Sequence, residues 1–147
     1  MYVPHLEAIL KNIGLTREEF NKATTVPVPA PLLQFLLQLV VANGEFNKAG
    51  YLAANEDIAQ AEKTGGMPNP RLHYIKFGYF EGRVGATPPV NEVWYKTTYP
   101  DIDEAIRGGA LASASEHFLV QGAAEGRAPS EKFYLDAQEW KKAFGLT

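Results

Sequence analysis

The sequence predicts an all-α protein: a helical repeat with two three-helix units, an N-terminal helical hairpin and a C-terminal capping helix. Two observations carry that expectation. FNKAGYLAANEDIAQAEKTGGMPNPRLHYIKFGYFEGR (46–83) lies over VNEVWYKTTYPDIDEAIRGGALASASEHFLVQGAAEGR (90–127) at one constant offset of 44 residues, without a gap. Eleven of the 38 positions are identical, where ordinary composition would supply about two. Inside both stretches, runs of helical length begin after Asn or Ser and stop at Gly, which is the punctuation of short capped helices. The chain has 147 residues and is 46% hydrophobic, enough for a core without metal or disulfide staples.

Residues 1–24 read as a helical hairpin. HLEAILKNIG and TREEFNKA meet at Gly14, and Thr16 with Glu19 makes a capping-box start for the second helix. Residues 25–30 belong to TTVPVPAP, whose alternate prolines favour an extended strut over a helix. Residues 31–44, PLLQFLLQLVVANG, form an apolar central helix stopped at Gly44. Leu32, Leu33, Phe35, Leu36, Leu37, Leu39, Val40 and Val41 cover almost its whole circumference, and Gln34 and Gln38 are the polar residues of its middle. A helix apolar all round is either central to a core or covered by another chain. Both readings stand at this point.

Residues 45–88 and 89–129 are the two repeat units. Asn47 and Asn91 can cap the first helix of each. The second helix carries Asp57 or Asp101 at its positive end, with Pro100 suited to a first helical position, and stops at Gly65 or Gly109. The third starts after Asn69 and Pro70 in one unit. In the other it starts after Ser113, with Glu116 completing a capping-box pattern. Gly78 and Gly122 are expected to end this helix. The chain must then turn, and Gly82 and Gly126 can take angles that other residues resist. Glu81 with Arg83, and Glu125 with Arg127, are expected to hold the turn. The Arg fork would reach a carboxylate or helix-end carbonyls, and His73 and His117 would hydrogen-bond beneath it.

Residues 130–147 start a third copy and abandon it. Phe133, Ala137, Trp140 and Phe144 recur at i, i+4, i+7 and i+11, which predicts one apolar stripe opposite Lys132, Glu139 and Lys141 and a helix that caps the last unit.

Composition removes several chemistries. Without cysteine there is no disulfide framework, thiolate nucleophile or Cys-based metal site. A formal charge of −3 and a pI near 5.6 argue against a surface that neutralises phosphates. LEAILKNIGLTREEFNKA has helix-turn-helix proportions, and DNA binding through residues 6–23 is a further alternative, but Glu18 and Glu19 follow Arg17 on its second helix. MYVPHLEAIL shows no basic region ahead of a sustained apolar run, and no segment nears the roughly 20 apolar residues of a membrane span. A cytoplasmic location is the expectation.

Ser113 and His117 share a helical face and could suggest a nucleophile beside its base. Asn69 occupies the equivalent of Ser113, caps as well and cannot attack, so capping is the better reading. His73, His117, Glu81 and Glu125 could be drawn as a metal site, and Glu81 with Glu125 as a glycosidase pair, but the spacing supplies neither geometry. No phosphate loop or dinucleotide fingerprint is present. No catalytic, cofactor-binding or metal-binding residue is therefore expected.

The pattern Y-L/K-x-x-N/Y-x/P-D-I, a glycine, then H-Y/F-x-x-x-G-x-x-E-G-R resembles a short helical repeat. That repeat occurs, often in tandem, in bacterial proteins beside glycosyltransferase and methyltransferase domains of surface-polysaccharide synthesis. The likeness covers residues 46–129; Glu56 stands in place of the usual proline and Gly50 in place of the aromatic seen at Trp94. The resemblance implies an accessory module, with carbohydrate contact through aromatics such as Trp94 and Tyr95 as one reading. Read from the residues, the expected function is a non-catalytic interaction or scaffolding module with a protein partner or self-association. Its candidate interface is Leu32, Phe35, Leu36, Leu39 and Val40 on the apolar helix, with Phe133, Trp140 and Phe144 near the C-terminus.

Overall fold

The computed structural model describes residues 2–67 and 69–146, so the outermost residues of the expected hairpin and capping segments lie outside it. The regular structure among these residues is all helical, with no strand. The chain divides into two units, residues 1–44 and 45–147.

In the first unit, α1 (Leu6–Ile13) and α2 (Arg17–Lys22) form the hairpin. Gly14 joins them at φ +76°, and the Leu15 N–H donates to the Leu10 carbonyl at 2.9 Å, closing the end of α1 around a left-handed residue. The Thr16–Glu19 capping box is present in both directions. Residues 23–29 are non-helical, as a stretch of alternate prolines requires.

Helix α3 (Ala30–Asn43) starts with Pro at its second position and ends where the Gly44 N–H meets the Val40 and Val41 carbonyls. None of its residues is buried, and neither helix of the hairpin runs along it. The reading of this segment as a central core helix is thereby corrected: Leu32, Leu37, Leu39 and Val41 are half-buried, and Leu33, Phe35, Leu36 and Val40 are exposed.

The second unit contains two three-helix segments. The first has α4 (Lys48–Ala54), α5 (Glu56–Lys63) and α6 (Pro70–His73), the last running into a π turn, Tyr74–Gly78. The second has α7 (Glu92–Thr98), α8 (Pro100–Arg107) and α9 (Ala114–His117), continued by a π turn, Phe118–Gly122. Asn47, Asn69, Asn91 and Ser113 each accept a backbone N–H at the helix start, at 2.9–3.1 Å. Glu116 reaches back to the Ala112 N–H at 2.8 Å and not to that of Ser113, so the expected reciprocal box is displaced by one residue. Gly65 and Gly109 close the middle helices at φ +76° and +77°.

Each segment has its own core. Tyr51, Ile58 and Ala86 are buried in one, with Phe46, Met67 and Tyr74 packed around them. Tyr95, Ile102, Ala114 and Phe118 are buried in the other, with Val90 and Leu111 around them. The positions 46/90, 51/95, 58/102, 67/111 and 74/118 are all 44 apart, so the side chains at equivalent places point into their own cores even where the residue type differs.

Each segment is also tied shut. The Asn47 N–H donates to the Ala86 carbonyl at 2.8 Å, and the Asn91 N–H to the Pro129 carbonyl at 2.9 Å. The first loop holds one residue more than the second, and that residue forces Gly85 to φ +88°, with its backbone against Gly50. A Cβ on Gly85 would sit 2.4 Å from the Gly50 oxygen, and one on Gly50 would sit 2.6 Å from the Gly85 oxygen. Trp94, the equivalent of Gly50, has no such neighbour and packs edge-on against Tyr99 and Tyr134.

The C-terminal segment is a 3-10 turn (Glu131–Phe133) leading into α10 (Tyr134–Ala143). Lys132 pairs with Glu45, bringing the end of the second segment beside the start of the first. The predicted stripe is only partly correct. Phe133 and Ala137 are half-buried, but Trp140 and Phe144 are 47% and 65% exposed and stack on each other, while Lys141 turns inward.

Candidate functional site

The candidate site is a polar cluster that occurs in both segments of the second unit. In the second, Tyr95 is 0% exposed and His117 4%, and the Tyr95 hydroxyl lies 3.0 Å from His117 Nδ1. Burial pushes the Tyr95 phenol up to about 12. The phenol therefore keeps its proton, and its oxygen and Nδ1 form one hydrogen bond whose donor is set by the imidazole tautomer. Glu125 Oε2 is 3.9 Å from His117 Nε2. The first segment repeats the central contact, with the Tyr51 hydroxyl 3.0 Å from His73 Nδ1 and the Tyr51 phenol raised by burial.

The π turns explain the spacing. In an α-helix, residues five apart lie on different faces, but a turn closed by i→i+5 bonds stacks residue i+5 over residue i. The Tyr79 N–H donates to the Tyr74 carbonyl and the Ala123 N–H to the Phe118 carbonyl. His73 and Gly78, like His117 and Gly122, therefore face one tyrosine hydroxyl. A Cβ on Gly78 would come within 2.2 Å of the Tyr51 oxygen, and one on Gly122 within 2.3 Å of the Tyr95 oxygen. The helical run of each segment ends at these glycines, as expected, and they have a second part to play. Gly78 and Gly122 make room for a hydroxyl, and the left-handed turn falls at Gly82 and Gly126, both at φ +70°.

Behind the turn sits the arginine. Arg127 donates from Nη1 and Nη2 to the two carboxylate oxygens of Asp101 at 3.0 and 2.7 Å, and from Nε to Glu125 at 2.7 Å. Its guanidinium also lies 4.8 Å from the Tyr99 ring centre. Arg83 donates to Asp57 at 2.8 Å and to Glu81 at 2.6 Å. Hydrogen bonds from these arginines hold the Asp57 and Asp101 carboxyls below their ordinary range. Both arginines are raised, Arg83 and Arg127 alike, chiefly by their Asp partners.

Two participants carry no signal in the 44-residue match. The buried Asn55 amide donates to the Tyr51 and Val84 carbonyls at 2.8 and 2.9 Å. Its equivalent, Tyr99, accepts from the Ala128 N–H at 2.9 Å. Positions 84 and 128 are themselves equivalent, so the chain leaving the turn is anchored at one place by opposite polarity. Identity could not reveal this, because Asn and Tyr share only the ability to bond the backbone.

Ser113 caps α9, and His117 Nδ1 faces the Tyr95 hydroxyl, so Ser113 and His117 are engaged elsewhere and not with each other. Glu81 and Glu125 each bind the arginine of their own segment. Among the described residues no group of three His, Asp or Glu side chains gathers for a metal, and no buried side-chain polar atom lacks a partner. Tyr95 is fully buried, which removes it as a sugar-stacking ring, while Trp94 is half-buried. Two grooves of about 370 and 350 Å³ flank the chain at residues 84–89, but their lining groups Asn47, Ser115 and Arg83 are already engaged.

The remaining candidate residues fall in the two units separately. On α3, Phe35, Leu36 and Val40 are exposed while Leu32 and Leu39 are half-buried. Near the C-terminus Trp140 and Phe144 are exposed and Phe133 is half-buried. On the hairpin, Arg17 pairs with Glu7 and Lys22 with Glu18, each at 2.6 Å, so both cations of the would-be recognition helix have acidic partners. No helix among the described residues is long and apolar enough to cross a membrane. No protein-family model, curated protein or solved structure matches the chain.

Proposed function

We propose that this chain is a non-catalytic interaction or scaffolding module built from two helical repeats. The observation that supports the reading is where its reactive side chains go. Every His, Glu and Arg of the twice-occurring pattern is engaged with a residue of its own segment: His73 with Tyr51, Glu81 with Arg83, His117 with Tyr95 and Glu125 with Arg127. Large apolar side chains, by contrast, stand uncovered on α3 and α10. Groups that hold one another in place organise a surface; they are not poised to react.

The test compares the full chain with Leu36→Glu and with Trp140→Glu combined with Phe144→Glu, by cross-linking in the source cells and identification of stoichiometric partners. A defined partner lost in one of the folded variants is the expected result. Turnover of an ester, phosphoester or glycoside substrate by the purified chain, abolished by His117→Ala in a variant that stays folded, would defeat the reading.

A further inference from the structure

Asn43 is the only asparagine of the chain that is followed by glycine. Lys22, Lys48, Glu56 and Glu92 follow Asn21, Asn47, Asn55 and Asn91. The β-branched Ile13 follows Asn12, and Pro70, which has no N–H, follows Asn69. Asn43 is the last residue of α3, and both it and Gly44 are exposed. The division between the two units falls immediately after Gly44. The backbone does not demand a glycine at this place: Gly44 has φ −75° and ψ 165°, and a Cβ there would meet nothing closer than 3.5 Å. What glycine supplies is an unhindered amide nitrogen beside an amide side chain.

We propose that Asn43 and Gly44 form a self-modification site guarded by the last turn of α3. The Gly44 nitrogen attacks Asn43 Cγ and closes a succinimide ring. The N–Cγ bond forms, the Cγ–Nδ2 bond breaks, and the side-chain nitrogen leaves as ammonia with the proton from Gly44. Water then opens the ring at either carbonyl and gives aspartate or isoaspartate. Nucleophile and electrophile sit on adjacent residues, so the step has the advantage of an intramolecular reaction. It needs no partner, and the proposal does not depend on the interaction-module reading.

The folded helix end withholds both groups. The Gly44 N–H donates to the Val40 and Val41 carbonyls at 3.1 and 3.2 Å, and Asn43 Nδ2 donates to the Leu39 carbonyl at 2.7 Å. Ring closure therefore waits for this turn to open. Terminal turns open first, and α3, with 14 residues of which none is buried, has a length at which a helix is marginal in water on its own. Once formed, the product keeps the turn open. A carboxylate has no proton to give Leu39, and it sets a negative charge at the negative end of the helix dipole, next to Glu45. Isoaspartate also adds a methylene to the main chain, which takes the Gly44 N–H out of register with its two carbonyls. The run from Ala23 to Gly44, which carries no charged residue, gains its first charge at its far end.

The test follows the full chain in mildly alkaline buffer by mass spectrometry of its proteolytic peptides, with isoaspartate counted by enzymatic methylation. Asn43 should lose its amide at least tenfold faster than Asn21, which is also exposed. Gly44→Ala should remove that difference and leave the helical circular dichroism unchanged, because there is room for its Cβ. The same chain in urea should react at Asn43 several times faster than the folded chain. Asn43→Asp stands for the direct product, and should raise amide hydrogen exchange at residues 42–44 above that of the parent. Asn43 reacting no faster than Asn21 overturns the site. Equal rates in the folded chain and in urea overturn the guard, and exchange at residues 42–44 that matches the parent overturns the loosening of α3.

Discussion

Gly122→Ala should destabilise the second unit far more than a glycine-to-alanine change in a helical stretch ordinarily does. Alanine is normally the better helix former by about 1 kcal/mol. Here the new Cβ would stand 2.3 Å from the Tyr95 oxygen and 3.1 Å from His117 Nδ1, so the fully buried tyrosine has to withdraw. Its hydrogen bond to His117 is lost, leaving buried polar groups unpartnered at about 1–3 kcal/mol, and the displaced ring overpacks its surroundings at about 1–3 kcal/mol more. Set against the helix-propensity gain, the net loss is roughly 2–4 kcal/mol, or a fall in Tm of about 10 °C or more for a unit of this size. Urea unfolding followed by circular dichroism and by Trp fluorescence measures it. The mechanism also predicts coupling. In a Tyr95→Phe background the offending oxygen is gone, and Gly122→Ala should cost at least about 1 kcal/mol less than in the unmodified chain. Additive costs, or a Gly122→Ala variant within about 0.5 kcal/mol of the parent, would show that the hydroxyl is not what keeps this position glycine.

Gly66→Ala provides a contrast, because its Cβ would meet nothing closer than 3.6 Å; it should leave Tm within a few degrees of the parent, while Gly85→Ala, at φ +88° and 2.4 Å from backbone, should prevent a cooperative melt. Arg127→Lys keeps one cation but loses the fork on Asp101 and Glu125, and should cost about 1 kcal/mol in the same urea assay. Asp101 has a folded-state carboxyl below its unfolded value, so the stability it adds is present above about pH 4 and is lost as pH falls through the folded value; thermal melts between pH 6 and 2.5 should show a shallower acid decline for Asp101→Asn. Trp140→Ser combined with Phe144→Ser removes exposed side chains and should lower stability by under about 1 kcal/mol, where a true capping stripe would lose several.

Caps and turns were legible because they depend on one residue at one place. Thr16, Asn47, Asn69, Asn91 and Ser113 all accept the backbone N–H groups their positions imply, and Gly82 and Gly126 take the left-handed angles the turn demands. The tyrosine contacts were visible as identities at 51/95 but without a role, since nothing in the chain announces a π turn that would bring His and Gly, five apart, to one hydroxyl. Asn55 and Tyr99 were invisible because equivalent work is done there by unlike residues. On α10 periodicity named the residues that share a face with Phe133 and Ala137, but not where the covering surface ends, and Trp140 and Phe144 lie beyond it. Apolar periodicity on α3 described which residues share a face, and could not say whether that face has a neighbour.

The bonds from Asn47 to Ala86 and from Asn91 to Pro129 have a consequence at the level of the gene. A stretch of some forty residues whose first and last strands of backbone are fastened together leaves no ragged edge when it is copied, lost or exchanged.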